Sequence, residues 1–299
     1  EFAVDAVQTE RSLALAEVER LRDDMYRWPM RLATQAAYGS HPYSHAVLGT
    51  ETSLSVIDAS AVRNFHAQHV LVGPVAIGIV GDVSPSDVAQ YVARQFDNLE
   101  WRDDVPPMAH PWPLATSTRE DTRNKQQTAL AMLFEGPGRM DPSRYASHVL
   151  SVIASGLGGR FFEQLRDKQS LAYTVAAYGV ERRSSGAFAA YIATAPEREA
   201  EAREGLLNEF AKLRVELVSD EELQRAKTYL IGTHAIAQQS GAAVLGDVVD
   251  AWLFGTGLGE RDSFVAEVQR VTARDVRLLA ERYFDPNRRA EGIVRGTGA

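Results

Sequence analysis

Three stretches of this sequence carry residue types able to do chemistry. In residues 10–20, ERSLALAEVER, helical periodicity puts Glu10, Leu13, Ala14 and Glu17 on one face. Two carboxylates then stand two turns apart among apolar neighbours, a costly arrangement unless each is paired with a cation, reaches water or binds a metal. Arg11 and Arg20 are the pairing candidates. In HPYSHAVLGT, His41 and His45 have the four-residue spacing of zinc ligands on a helix, but Pro42, Ser44 and the preceding Tyr-Gly-Ser predict a turn. His66 and His69 fall on a predicted helix without an HExxH-type partner, so all four imidazoles are expected to be structural or solvent-facing. In SGLGGRFFEQLRDKQSLAYTVAAYG, the glycines precede a helix, but no strand-GxGxxG-helix unit and no Walker lysine accompany them. Arg166 ends that short helix and Tyr173 opens a strand, so a planar set of guanidinium donors and a phenol donor together could hold the carbonyl oxygens of an extended peptide. The plainer reading is a surface arginine and a half-buried strand tyrosine.

Composition removes several classes of function. The 299 residues are 45% hydrophobic and 24% charged, enough for two cores of common size. A net charge of −8 with mixed signs along the chain leaves no basic patch for nucleic acid. The absence of cysteine excludes disulfides, thiol catalysis and Cys-based zinc sites. No apolar run approaches the ~20 residues of a membrane-spanning helix.

The elements that must position these residues come in two copies. Residues 57–80 align with residues 271–294 at an offset of 214, with seven of twenty-four positions identical, among them Gly78 with Gly292. Chance would give about one or two matches, so the register marks a diverged duplication. Extended upstream, it sets Arg11 on Arg225 and Glu17 on Ile231. The expected organisation is a C-terminal half of a first domain over 1–100, a Pro-rich linker over 101–118 and a complete second domain over 119–299. Roughly a hundred residues are expected before the first copy's present start. The second copy reads as α+β: an apolar strand over 128–136, a helix over 145–154, a short helix from Phe161, a hairpin turning at 181–186, long helices over 199–282 with an N-cap at Ser219, and a strand over 292–295. In the first copy, 75–81 is expected to form a strand.

Taken in order, ERSLALAEVERLRDD, YGSHPYSHAVLGTETSL, VAIGIVGDVSPSDV and LGGRFFEQLRDKQSLAYTV resemble the pitrilysin/insulinase family of zinc metallopeptidases over nearly the whole chain. The resemblance implies two duplicated α/β sandwich domains with antiparallel sheets, the first incomplete. It casts Arg166 and Tyr173 as the substrate-binding pair beside the scissile bond, Glu17 as the third zinc ligand and Glu10 as its acidic support. The family's His-x-x-Glu-His motif is absent, and the second copy offers only His148 on its helix and Ile231 in place of the glutamate. No catalytic residue is therefore expected in this chain. Zinc is expected in the complete parent protein and not in this chain alone. The implied function is a fragment or subunit of a zinc metalloendopeptidase that contributes the substrate-binding half. The alternative is a non-catalytic homologue that binds peptide or scaffolds an active partner. A homo- or heterodimer with a family member and a periplasmic or cell-envelope location are the accompanying expectations.

Overall fold

Large and small apolar residues alternate along the central strands, and that alternation gives the sheet two unlike faces. The computed structural model describes residues 2–70, 75–97, 112–155, 158–255 and 257–298. Residues 101–111 of the expected linker, and Gly156 and Leu157 of the Gly-rich stretch, lie outside the described residues. The strands are β1 (Ser117–Arg123), β2 (Thr128–Gly136), β3 (Thr174–Glu181), β4 (Gly186–Thr194) and β5 (Arg289–Gly296), ordered β1-β5-β2-β4-β3. All pairs are antiparallel except β1 with β5. The helices are α1 (Val4–Asp23), α2 (Arg27–Tyr38), α3 (Glu51–Ser55), α4 (Ala59–Phe65), α5 (Pro85–Gln95) and α6 (Arg144–Ala154), then α7 (Glu199–Val215), α8 (Asp220–Ala237), α9 (Gly241–Leu253), α10 (Gly259–Arg270) and α11 (Ala273–Tyr283).

One face of the sheet carries the bulky side chains. Leu130, Met132 and Phe134 of β2 and Phe188 and Ile192 of β4 pack under α6, α7 and α11. Phe210 of α7 is the hub, with ring centroids 4.6 Å from Phe134, 5.1 Å from Phe161 and 4.9 Å from Phe284. The other face has a small-residue centre, Ala131, Ala187, Ala189 and Ala290 beside Leu133, with Tyr178, Val180 and Tyr191 around it. A flat alanine surface admits a helix at short range, and α2 lies on it through Ala33, Ala36 and Ala37. The approach is closest at Gly292, where a Cβ would sit 2.0 Å from the Pro29 carbonyl oxygen and 2.3 Å from the Ala33 nitrogen. The Trp28 indole N–H donates to Asp121 of β1 at 2.9 Å. Trp112, which falls in the expected linker, seals the end of this layer: its ring lies 5.7 Å from that of Tyr38 and its N–H donates to the Arg288 carbonyl at 3.0 Å.

The offset of 214 found in the sequence carries through the helices. It maps α1 onto α8, α2 onto α9 and α4 onto α11, and residues 75–80 onto β5. The contacts are reciprocal. Gly292 of the second copy faces α2 of the first, and a Cβ on Gly78 of the first would lie 2.7 Å from Leu245 and 2.9 Å from Val249 of α9 in the second. Each copy thus lends a helix to the other's glycine. The strand expected over 75–81 does not form: residues 75–80 have no regular secondary structure, because no described strand lies alongside to complete a ladder.

Both sheet edges are blunted. At β3, the Ser155 hydroxyl beside α6 accepts the Ala177 N–H at 3.0 Å, and the Ser151 hydroxyl accepts the Gly179 N–H at 2.9 Å. These serines take up donors that an added strand would need. At the other edge, β1 reads STREDTR, and its charges disfavour strand addition. The short helix Phe162–Lys168 is anchored to α8 by a two-pronged ion pair, Arg160 to Glu222 at 2.6 and 2.8 Å. Glu222 also closes the capping box of α8, accepting from the Ser219 N–H at 3.1 Å.

Two predictions follow from this packing. Gly292→Ala drives a methyl into the backbone of α2 and should destabilise the protein by about 1–3 kcal/mol or more. Gly78→Ala, which meets only the ends of Leu245 and Val249, should cost less. Calorimetric melting of both variants tests this, and a Gly292→Ala protein melting with the parent would show that α2 is not seated on β5. The second concerns acid. The Arg160 guanidinium, helped by bonds from Ser219, holds the Glu222 carboxyl at about 2 against an ordinary 4.5. A depressed carboxyl stabilises the fold fully above its unfolded value and loses that contribution as pH falls, here from about 4.5 toward about 2. The ceiling is about 3 kcal/mol at neutral pH. Glu222→Gln should therefore melt lower than the parent at neutral pH, with the two curves converging as pH drops through that window; a constant gap would assign the stability to something other than ionisation.

Candidate functional site

The corner that carries Arg166 and Tyr173 is built from buried anchors outward. Phe161 and Leu165, both fully buried, fix the short helix 162–168 and leave Arg166 at its surface end. The helix is closed by the Ser170 N–H to the Arg166 carbonyl at 3.0 Å and the Leu171 N–H to the Leu165 carbonyl at 2.8 Å. Ser170 takes a left-handed φ of 50°, which turns the chain back toward the sheet. Leu165 and Leu171 both press on α7 at Gly205, where a Cβ would lie 2.8 and 3.1 Å from them. The Tyr173 N–H then bonds the Ala193 carbonyl at 3.2 Å, and β3 starts one residue later.

Strand alternation would put Leu171, Tyr173 and Val175 on one face. The structure departs from this: Leu171 and Val175 are buried, whereas Tyr173 is 73% exposed. The cause is the turn at Ser170, which leaves residues 171–173 outside the ladder. The Arg166 guanidinium carbon lies 4.5 Å from the Phe162 ring centre and 5.7 Å from that of Tyr173. Such stacking orients the guanidinium while using none of its N–H groups. Among the described residues its side chain has no hydrogen bond or ion pair. Five N–H donors and the neighbouring phenol are thus available together at the surface, a set suited to carbonyl or carboxylate oxygens.

Glu17 and Glu10 are placed differently. The Glu17 carboxylate accepts from Arg27 at 3.0 Å and from Arg20 at 3.4 Å. The Arg27 hydrogen bond, together with the charges of Arg27 and Arg20, holds its carboxyl below the usual carboxylate range. Glu10 is exposed beside a shallow apolar recess that includes Phe2, Val7 and Ile57, and Arg11 is turned away to the Ile57 carbonyl at 3.2 Å. A catalytic zinc site takes three protein ligands. Here the matching carboxylate faces two guanidinium groups, and the described residues contain no group of three or more His, Cys, Asp or Glu able to hold a metal. The residues present do not fit zinc.

The histidines have local roles. His41 is buried and accepts the Tyr43 N–H at 3.2 Å at the head of the one-turn helix Pro42–Ser44, while His45 is exposed. His66 packs on Phe2 at 5.2 Å and His69 on Phe65 at 4.7 Å. His148 contacts Glu181 at the wall of a cavity of about 530 Å³ between α6, α9 and α10. Sequence reasoning missed the ion-pair cluster there: Arg139 and Arg144 both bond Glu260, at 2.5 and 2.7 Å, and both lie 3.5 Å from Glu181. Its members are scattered over 120 residues of sequence with no shared period, so no spacing announces them. Two cations and two anions satisfy one another, and the cluster seats α10 against α6 and β3.

Comparison with known proteins agrees with this architecture. Residues 57–230 match the family described as the peptidase M16 inactive domain. A protein of Mycobacterium leprae named as an uncharacterized zinc protease is 25% identical, over 98% of this chain and 67% of its own length. One of the same description from Streptomyces coelicolor is 24% identical, over 92% of this chain and 61% of its own. The chain therefore spans about two thirds or less of the length of these relatives. Among solved structures, a peptidase M16 inactive domain from Pseudomonas fluorescens superposes with a TM-score of 0.86 at 22% identity, covering 99% of this chain and 71% of the other. A chain of complex III2 from Candida albicans shares the fold, with a TM-score of 0.79 at 14% identity over 98% of this chain and 73% of its own. Among the described residues no helix is long and apolar enough to cross a membrane. With the match running over more than half of its residues and the His-x-x-Glu-His motif absent from its sequence, the chain belongs to the peptidase M16 inactive-domain family, a branch of the pitrilysin-like zinc peptidases.

Proposed function

We propose that this chain supplies the substrate-binding half of a zinc metalloendopeptidase and that Arg166 and Tyr173 hold main-chain carbonyls of an extended peptide. The observation that carries the reading is the Arg166 guanidinium, oriented by two aromatic rings with its donors unused among the described residues, next to an exposed phenol. Stacking holds the guanidinium in place and leaves its N–H groups to a ligand, which a hydrogen bond or ion pair within the chain would have occupied. The reaction itself belongs to ligands this chain does not contain, so no step of hydrolysis is assigned to its residues. A second reading, a non-catalytic peptide-binding or scaffolding subunit, draws support from Glu17, whose carboxylate is engaged by Arg27 and Arg20. Under either reading the chain works beside a further metallopeptidase-like unit, in the same protein or in a paired family member.

The first test is affinity. A charge-assisted bond contributes roughly 1.5–3 kcal/mol, so Arg166→Ala should weaken peptide binding, followed by fluorescence anisotropy, by about one to two powers of ten. Tyr173→Phe should weaken it less. In a longer form carrying the zinc ligands, the same substitutions should lower peptide turnover without changing zinc content. Both variants should melt close to the parent, and unfolding with undiminished affinity in the folded fraction would mark the pair as structural.

The second test is metal. This chain should take up no stoichiometric zinc and cleave no peptide, because one carboxylate held by two arginines cannot replace a three-ligand site. Metal analysis that found one zinc per chain, lost on Glu17→Gln, would overturn this ligand assignment.

A further inference from the structure

We propose that Arg198 is a positioning residue for the Arg166–Tyr173 pair, an inference that rests on the peptide-binding reading of that pair. Arg198 stands where the one-turn helix Pro196–Arg198 meets α7, an element separate from those that carry Arg166 and Tyr173. Its Nη1 donates to the Ser170 carbonyl at 2.6 Å and its Nη2 reaches the Gln169 carbonyl at 3.4 Å. Glu201 holds the same guanidinium from behind, at 3.1 Å from Nε and 2.9 Å from Nη2.

The carbonyls it takes are those of the turn between the two site residues. Ser170 is the one non-glycine residue with positive φ among the described residues. A serine has no intrinsic preference for that conformation and keeps it only where its surroundings impose it. The N–H groups of Ser170 and Leu171 bond back to the helix that bears Arg166, and so they fix only the near side of the turn. Leu171 on α7 and the Tyr173 N–H on the Ala193 carbonyl hold the residues after the turn, and Arg198 adds the tie to the turn's own carbonyls: it fixes where those of Gln169 and Ser170 point, and hence the direction in which the chain leaves the turn. Leu171 is buried against α7 and cannot swing far, but Tyr173 is 73% exposed and its ring lies beside the Arg166 guanidinium at the surface. Without Arg198 the turn should remain folded and the Tyr173 N–H should stay on the Ala193 carbonyl, while the alignment of the Arg166 and Tyr173 side chains is held less closely.

A purely structural role predicts a different outcome. The Arg198–Glu201 pair is a surface ion pair of a kind that adds little to stability, and the carbonyls of Ser170 and Gln169 lie at an exposed site where water can replace the guanidinium, so loss of Arg198 should lower the melting temperature only slightly. Its effect should appear in peptide affinity, and only while Arg166 is present.

The experiment is a double-mutant cycle on the 299-residue chain, read by anisotropy with a fluorescein-labelled Ala/Gly/Ser peptide. That probe suits contacts made to main-chain carbonyls alone. Arg198→Ala should weaken binding roughly three- to tenfold, the scale of a small misplacement of a binding group. Arg198→Lys, which keeps one donor for Ser170, should recover part of the loss. Glu201→Gln, which leaves the carbonyl contacts in place, should change little. In an Arg166→Ala background, Arg198→Ala should have no further effect. An equal loss in both backgrounds, or no loss while Arg166→Ala weakens binding, would overturn the positioning role and leave the reading of the pair intact. No loss from Arg166→Ala itself, or no binding of the probe to the parent, would remove that reading and this inference with it. If Arg198→Ala does not fold, Arg198→Lys carries the same cycle.

Discussion

A helix lying directly on a strand, with no side chain between their backbones, sets the terms for the rest of this molecule. Gly292 leaves room for the Pro29 carbonyl and the Ala33 amide nitrogen of α2, and the alanines of β2, β4 and β5 extend that flat surface. Close packing of this kind is intolerant of added volume. It therefore fixes α2 in depth and rotation, and with it the end of α1 that carries Glu17, since only a short turn separates the two helices. Arg27, at the first residue of α2, is brought back onto Glu17 by that same turn. The placement of Arg27 beside Glu17, the carboxylate that the family resemblance casts as a metal ligand, thus depends in part on a packing contact at Gly292.

The same device recurs at the corner that carries Arg166 and Tyr173. Gly205 lets Leu165 and Leu171 reach the backbone of α7, which pins both sides of the turn that separates Arg166 from Tyr173. Polar ties then orient what the apolar contacts have placed: Arg160 to Glu222 on one side and Arg198 to the turn carbonyls on the other. The corner is rigid below and open above, the combination expected of a surface that binds an extended chain without enclosing it.

Much of this was legible in the sequence, and the failures have physical causes. The apolar run of β2, the hairpin of β3 and β4 and the Ser219 cap of α8 are local patterns, and they formed where the residues indicated. Residues 75–81 have an equally good strand composition, but a strand exists only through its partners, and none lies beside it among the described residues. The reverse holds for β1, whose STREDTR has no apolar alternation and becomes a strand by pairing with β5. Arg166 and Tyr173 could be singled out by motif, yet the aromatic stacking that orients the guanidinium, the left-handed Ser170 and the reach of Arg198 depend on the tertiary turn. The partners of Glu17 were half legible: Arg20 follows from helical spacing, whereas Arg27 requires knowing how the chain turns between α1 and α2.

The reciprocal loan of helices between the two copies also bears on how the chain can be made. α2 is made well before its seat, which includes Gly292 in the middle of β5. β5 also lies between β1 and β2, so the sheet cannot close until that last strand arrives. Contacts of such sequence separation form slowly, and the surfaces awaiting them stay wet meanwhile. Until β5 has been made, the alanine side of α2 and the small-residue face of β2 and β4 lack this partner, and those surfaces must be kept from other contacts in the meantime.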